Sequence, residues 1–376
     1  MKCNSPPSTH GMNQLPKVLV IGPNTFSKVT NTGKTLASLF KNWKAEKLAQ
    51  IFFGSGEIPD FDICANYFRI TCFDVLRTVI RRSYICGKSY TSSNFATIVC
   101  ANSNAKKRQQ FLSWLKKYHE ILMFPVDLLW KSSCWKSHKL EQWIEEFSPE
   151  LIFLHAGAAG YSHQVAWWIC QKYQLPLCVY CTDDYVVENG RNLLGSWKRI
   201  ATFRHTMAMA ETAFVIGDYM AERYTQFFGR EFLSVMNCIE DIPYEPEQPT
   251  HELRIVFIGG VHLNRWKALA KFGQLINSIN TETAENIRVD IFCAQELEEN
   301  IQKTLSQPPL FFCGKLSADQ VTAEIKKAHC LLHVESEDRR SRMLTKMSIS
   351  TKIPEYFITK CPCRGKTNGK GLKTKR

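Results

Sequence analysis

From Lys17 onward the chain alternates short apolar, β-rich runs with stretches whose apolar residues recur at helical spacing. Such alternation predicts parallel sheets covered by helices on both faces, because each helix carries the chain from the end of one strand back to the start of the next. KVLVIGP (17–23) reads as a buried first strand, followed by a Gly/Asn/Thr loop and a helix over 33–43, and QIFFGSG (50–56) as the second strand. After a less regular basic stretch come an amphipathic helix over 109–118, with Phe111, Leu112, Leu115 and Tyr118 on one face, and another over 139–147. Strands resume as ELIFLHA (150–156), PLCVYCTD (176–183), ETAFVIG (211–217) and EFLSVMN (231–237), with helical runs between them. Residues 239–251 carry three prolines and four acids, so a hinge is expected over 239–252. A second alternation then starts with LRIVFIGG (253–260), a strand ending in a double glycine. It continues through a helix over 265–279 and the strands RVDIFCA, LFFCG and HCLLHVES, with helices over 296–305 and 318–328.

The expected fold is therefore α/β, with two Rossmann-like doubly wound domains facing a cleft. A flexible leader covers 1–16, the first domain 17–238, the hinge 239–252 and the second domain 253–359. Past Thr359 the chain turns to Gly and Lys with no apolar periodicity and no acid. Residues 360–376 are expected to form a disordered basic tail, leaving the second domain incomplete at its edge.

Composition narrows the class. The chain has 376 residues, 44% of them hydrophobic and 22% charged, which excludes collagen-like, low-complexity and wholly disordered proteins. Its longest apolar runs are broken by Gly, His or charge, so no transmembrane helix is expected, and the polar N-terminus lacks the apolar core of a signal peptide. Fifteen cysteines scattered through apolar segments fit reduced thiols in a cytoplasmic protein better than a zinc knuckle or a redox dithiol. The net charge of +13 is uneven: residues 1–150 carry 20 Lys or Arg against 11 acids, whereas residues 151–359 carry 21 against 24. A basic first domain suits an anionic membrane surface or a phosphorylated substrate, and the absence of nucleic-acid-binding motifs argues against nucleic acid. Arg81, Arg82, Lys106, Lys107, Arg108, Lys116 and Lys117, beside Phe111, Trp114 and Tyr118, mark the expected membrane-facing surface.

Ligands of open parallel sheets bind at the carboxyl ends of the strands, so those ends hold the candidate chemistry. The GKT at 33–35 is no Walker motif, because the required upstream glycine is Lys28. FIGGVHLNRWK (257–267) is more specific: Gly259 and Gly260 let a ligand approach the backbone, and Arg265 and Lys267 open the next helix, where an anion is favoured. Farther on, a small-residue helix start (Ser348, Ser350, Thr351) with Lys346 and Lys352 nearby is a second anion site, and Glu355 one turn on could accept from ribose hydroxyls. Asp183 and Asp184 follow the strand LCVYC, where a carboxylate orients an acceptor hydroxyl, acts as its base, or caps a helix. His155, at the end of LIFLH, reads as structural or cleft-lining.

These motifs, TDDY (182–185), FVIGDYMAERYTQFFG (214–229), IVFIGGVHLNRWK (255–267), LLHVES (331–336) and STKIPEY (350–356), resemble the group 1, or family 4, glycosyltransferases of GT-B fold, especially the bacterial surface-polysaccharide branch. The resemblance spans most of 17–358. It implies an acceptor on the first domain, a UDP- or GDP-sugar on the second, and transfer with retention, without a metal or other cofactor, to a glycan or lipid-linked acceptor. By the same resemblance Arg265 and Lys267 balance the diphosphate, and Glu355 matches the distal glutamate of the family's Glu-x7-Glu pattern. The proximal position is Met347, which leaves Glu335 or Glu337 as a substitute. The alternatives are an inactive relic or binding module and, sharing the fold, a sugar-nucleotide epimerase.

Overall fold

The computed structural model describes residues 15–28, 31–54, 58–81, 83–95, 126, 128–188, 196–236, 252–350, 352–353, 356 and 363–365. Two sheets organise them. The first contains β1 (Val18–Gly22), β2 (Leu48–Phe52), β3 (Asn66–Arg69), β4 (Lys88–Tyr90), β5 (Leu151–His155), β6 (Leu177–Cys181), β7 (Thr212–Val215) and β8 (Leu233–Ser234), in the order β4-β3-β2-β1-β5-β6-β7-β8. All its pairings are parallel except β3 with β4. The second contains β9 (Leu253–Ile258), β10 (Ile287–Phe292), β11 (Leu310–Gly314), β12 (Cys330–His333) and β13 (Cys363–Gly365), all parallel, in the order β11-β10-β9-β12-β13.

Both sheets start in the middle, wind outward to one edge and then return to fill the other. The strand order therefore reverses between β1 and β5 in the first sheet and between β9 and β12 in the second, and each reversal leaves a crevice at the strand ends.

Continuous apolar strands explain this arrangement. β1 is buried at all five positions, as a central parallel strand covered on both faces must be. Gln50, fully buried in β2, is the polar exception; its amide accepts from the Phe26 N–H (3.0 Å) and donates to the Asn24 carbonyl (2.9 Å), fixing the loop after β1. The first core is rich in aromatic contacts, including Trp130 stacked on Tyr161 with centroids 4.7 Å apart. In the second unit successive residues of β9 serve opposite faces: Phe257 packs with Leu269, Val289 and Leu310, while Val256 and Ile258 pack with Ile325, Leu331 and Tyr356.

The expected strands are present with ends shifted by no more than four residues, and the helices at Asn31–Leu39, His138–Phe147, Arg265–Thr283, Glu299–Leu305 and Ala318–Lys326 fall where periodicity placed them. The stretch read as irregular instead holds β3, the helix Cys72–Ile80 and β4. That helix starts on a capping box in which Thr71 and Asp74 satisfy each other's backbone N–H groups. A further difference is β13, which pairs with the open side of β12 inside the tail expected to lack structure. The helix expected over 109–118, the hinge over 239–252 apart from Glu252, and the basic residues Arg82, Lys106, Lys107, Arg108, Lys116 and Lys117 lie outside the described residues. Among the described residues no helix is long and apolar enough to cross a membrane.

Candidate functional site

At the second sheet's reversal, β9 runs into Gly259 and Gly260 and then into a tight turn in which Leu263 and Asn264 adopt positive φ (56° and 61°) before the helix at Arg265. Both glycines are required by close approach. A Cβ on Gly259 would lie 2.8 Å from the Phe257 ring and 3.2 Å from Lys352 Nζ, and one on Gly260 would lie 2.6 Å from His262 Nδ1. Gln295 closes the turn: its Oε1 accepts from the Val261 N–H (3.2 Å), and its Nε2 lies 3.3 Å from His262 Nδ1. Burial pushes the His262 imidazole below its ordinary pKa, and the charges of Arg265 and Lys352 push it the same way. Three potential cations thus surround the glycine pair.

Arg265 lies at this crevice but is already engaged. Its guanidinium meets Glu335 in a two-pronged contact, Nη2 at 2.9 Å from both carboxylate oxygens and Nε at 3.2 Å from one. His333 Nε2 lies 3.1 Å from Glu335 Oε1. Burial would raise the Glu335 carboxyl, yet the hydrogen bonds and charges of His333 and Arg265 outweigh it and hold it below the usual range. Glu335 is therefore a partner of Arg265 in this structure, and Glu337 pairs on the surface with Lys271.

Lys267 does not join Arg265. Two residues farther along the helix, it is exposed, holds its ammonium 5.5 Å from the Trp266 ring centre, and lies close enough to Asp338, on the loop after β12, to lower that carboxyl. Lys352 approaches Gly259 instead, and the neighbouring Ser350 accepts the Ile353 N–H (3.1 Å) through its carbonyl. Thr351 and Glu355 lie outside the described residues.

In the first unit the TDDY loop follows β6 and separates its two carboxylates. Asp184 is 3% exposed and accepts from the N–H groups of Val186 (3.0 Å), Val187 (2.9 Å) and Glu188 (2.8 Å) and from the Tyr224 hydroxyl (3.1 Å). It holds the turn, so pairing it with Asp183 at the acceptor needs correction: its oxygens face the protein. Asp183 is half-buried. Its Oδ1 accepts a 2.7 Å hydrogen bond from Ser348, and its Oδ2 lies 3.4 Å from the hydroxyls of Thr182 and Tyr185. Behind it, Thr182 Oγ1 lies 3.0 Å from Nε2 of the buried His155, whose Nδ1 has no hydrogen-bond partner among the described residues. His155 stands beside Gly22 at the β1/β5 reversal, where a glycine Cβ would come within 3.2 Å of its own.

Ser348 belongs to the second unit, and the contact is one of several. Met347 is buried in the first core, Ile349 packs where Gly217 leaves room, and Lys346 lies 3.4 Å from Glu188 and 5.8 Å from the Tyr219 ring centre. Farther on, Tyr356 donates to the Ile258 carbonyl (3.3 Å) at the end of β9. One stretch of chain therefore touches the carboxyl ends of both sheets and brings Asp183 and the glycine pair to the same bridge.

Sequence reasoning missed His262 and Gln295, read His333 as core packing rather than a partner of Glu335, and placed Ser348 in an anion site rather than against Asp183. The first lies inside a motif already singled out, whereas Ser348 meets Asp183 across 165 residues and gives no local signal. Cys178 and Cys181 also have C-x-x-C spacing, but side chains three apart in a strand point to opposite faces, so the pair forms neither a metal chelate nor a dithiol.

No family model and no curated protein matches the chain. Solved structures do. The N-terminal domain of the trehalose-6-phosphate phosphatase of Candida albicans matches at TM-score 0.53 and 9% identity, over 93% of this chain and 84% of that one. The likeness is one of fold. S. aureus TarM, in a complex with fondaparinux, alpha-GlcNAc-glycerol and UDP, matches at TM-score 0.43 and 11% identity over 60% of this chain. The calicheamicin glycosyltransferase CalG4 matches at TM-score 0.41 and 8% identity, over 93% of this chain and 78% of that one. The chain spans 43% of the length of TarM.

His155 and the similarly enclosed His163 make the first unit sensitive to acid. Burial pushes both imidazoles down to about 4, an effect that the Asp183 charge offsets in part at His155 and a hydrogen bond to the Gly157 carbonyl offsets in part at His163. Unfolded histidine titrates near 6.5, so between 6.5 and 4 the unfolded chain binds more protons than the folded one. Stability is complete above that window and falls as pH drops through it. Urea unfolding at pH 4.5 is expected to give a free energy lower than at pH 7 by roughly 2–3 kcal/mol per histidine, and a flat profile would contradict buried neutral imidazoles.

Proposed function

We propose that the chain is a glycosyltransferase that moves a sugar from a nucleoside-diphosphate sugar to a hydroxyl held by the first unit. The observation that carries this reading is the meeting of two strand-end sites at one bridge: a glycine pair ringed by His262, Arg265 and Lys352, and the carboxylate of Asp183. The Gly259 N–H is spent on the Phe292 carbonyl (2.9 Å), so the backbone N–H of Gly260 and the Lys352 ammonium would take the diphosphate, with Arg265 turning from Glu335 to the leaving group as charge develops there. Ser350, Thr351 and Glu355 would complete the nucleotide side, and Glu335, once released, would accept from a sugar hydroxyl. Asp183 would orient the acceptor hydroxyl or take its proton. The motif resemblance extends this to retention of configuration, a UDP- or GDP-sugar, and a glycan or lipid-linked acceptor in surface polysaccharide or lipopolysaccharide assembly. It also extends to a cytoplasmic location, peripheral on an anionic inner membrane face.

A second reading, a binding module without turnover, is favoured by one observation: in this structure Arg265 is neutralised by Glu335. Thermal shift with UDP and GDP decides whether the donor site exists, since a nucleotide at 100 times its Kd adds about 2.7 kcal/mol to stability. Arg265→Met is expected to reduce that shift. Nucleotide binding without release of nucleoside diphosphate from a UDP- or GDP-sugar in the presence of acceptor would favour the binding module, and no shift with either nucleotide would remove the donor site.

A further inference from the structure

The helix Gly160–Tyr173 buries His163, Val165, Ala166, Ile169 and Cys170 against the first sheet. It turns Gln164, Trp167, Trp168 and Gln171 outward. Two adjacent half-buried indoles, that of Trp168 packed on the first core, lie between the half-buried Gln164 and the exposed Gln171 and offer ring edges beside amides. The stripe forms one wall of a groove of about 390 Å³; Lys136 and His205 stand on the others. That volume is within the roughly 300–1,000 Å³ of sites that hold small molecules. The groove begins about a turn below the cleft and extends for two more turns, about 10 Å from Gln164 to Gln171. It is separate from Asp183 and from the glycine pair.

Its lining is mixed in a definite way. Trp167 donates its N–H to Thr206 (3.0 Å) and stands edge-on to His205 at 4.5 Å, so its position is fixed. Trp168 stands edge-on to Trp135 at 5.3 Å, and among the described residues nothing accepts from its indole N–H or bonds the side-chain amides of Gln164 and Gln171. Lys136 lies 5.8 Å from the Trp168 ring centre and 5.4 Å from that of Trp135, and none of the described lining residues is acidic. Apolar ring edges, unspent amide donors and acceptors, and cations without carboxylates fit a ligand with C–H faces, hydroxyl edges and negative charge.

We infer that this groove binds an anionic oligosaccharide. The concave shape fits a chain of sugar rings better than a lipid surface, and the cations beside the indoles select one bearing carboxylate, sulfate or phosphate. The inference rests on the groove's own chemistry and holds whether or not the strand-end site turns over.

The test uses the full chain and calorimetric titration with a hyaluronan hexasaccharide, a dextran sulfate oligosaccharide and neutral cellohexaose, with phosphatidylglycerol-containing vesicles as a separate arm. Saturable binding of at least one anionic sugar, weaker binding of cellohexaose, and a loss of affinity with salt are expected. Lys136→Glu and Gln171→Ala, both at exposed positions, should each weaken the anionic sugar about fivefold to tenfold, and Trp168→Phe, which removes the N–H but keeps a ring, should weaken it less. Circular dichroism melts confirm that each variant is folded. Failure of both anionic sugars, equal binding of cellohexaose, affinity unchanged in both Lys136→Glu and Gln171→Ala, or binding to vesicles alone would overturn the inference. UDP-induced thermal shift on the same samples reports the strand-end site, so the two readings fail separately.

Discussion

Asp184→Ala is expected to lower stability by about 3–5 kcal/mol, among the largest losses available to a single substitution in this chain. The carboxylate is 3% exposed and joins three consecutive amides to the Tyr224 hydroxyl, so truncation leaves four donors without their acceptor. Asp184→Asn should cost less, since one amide oxygen remains, but its NH2 group then confronts the Glu188 N–H or the donors on the other side. Urea melts followed by far-ultraviolet circular dichroism measure both. An unchanged melt combined with a loss of turnover would assign Asp184 to the chemistry and remove its structural role.

Asp183→Asn should do the reverse. The substitution keeps an oxygen for the Ser348 hydroxyl while removing the charge and the proton acceptor, so the melt should stay within about 1 kcal/mol of the parent. Transfer, followed as release of nucleoside diphosphate in the presence of acceptor, should fall by about 10²–10⁴-fold if the carboxylate works on the acceptor hydroxyl. Retention of more than about a third of the rate would exclude general-base work by Asp183. Ser348→Ala separates the two effects, because it removes the bridge and leaves the carboxylate charged.

The two variants also show where sequence reading reached and where it stopped. β1, β5, β6 and β9 were legible because central parallel strands are apolar on both faces, which leaves an uninterrupted signature. β3 and the helix Cys72–Ile80 were not. β3 is four residues long with polar ends, and the helix runs for only nine residues, too short a window for its periodicity to stand out, and leaves Leu76, Val79 and Ile80 exposed at 42%, 45% and 70%. At the site, the double glycine and Arg265 were readable from the strand-turn-helix context. Lys267 does not share the Glu335 contact of Arg265, since residues two apart on a helix do not share a face, and it is exposed beside the Trp266 ring. TDDY gave two adjacent carboxylates with no means of telling the one that holds the turn from the one that faces the bridge. That distinction depends on Tyr224 and Ser348, which are brought there by other elements.

Met347 gives the bridge a dependence on temperature. Its thioether lies in the first unit's core, 3% exposed, while the chain on its far side continues to the end of β9. Separating the two units withdraws this side chain, and Ile349 with it, into water, and exposing apolar surface raises the heat capacity. The attraction that closes the units therefore weakens on cooling and strengthens on moderate warming, opposite to the behaviour of a bridge held by hydrogen bonds alone. Cooling is therefore expected to weaken the apolar share of the contact between the halves and leave it to the Asp183–Ser348 hydrogen bond and the Lys346–Glu188 pair.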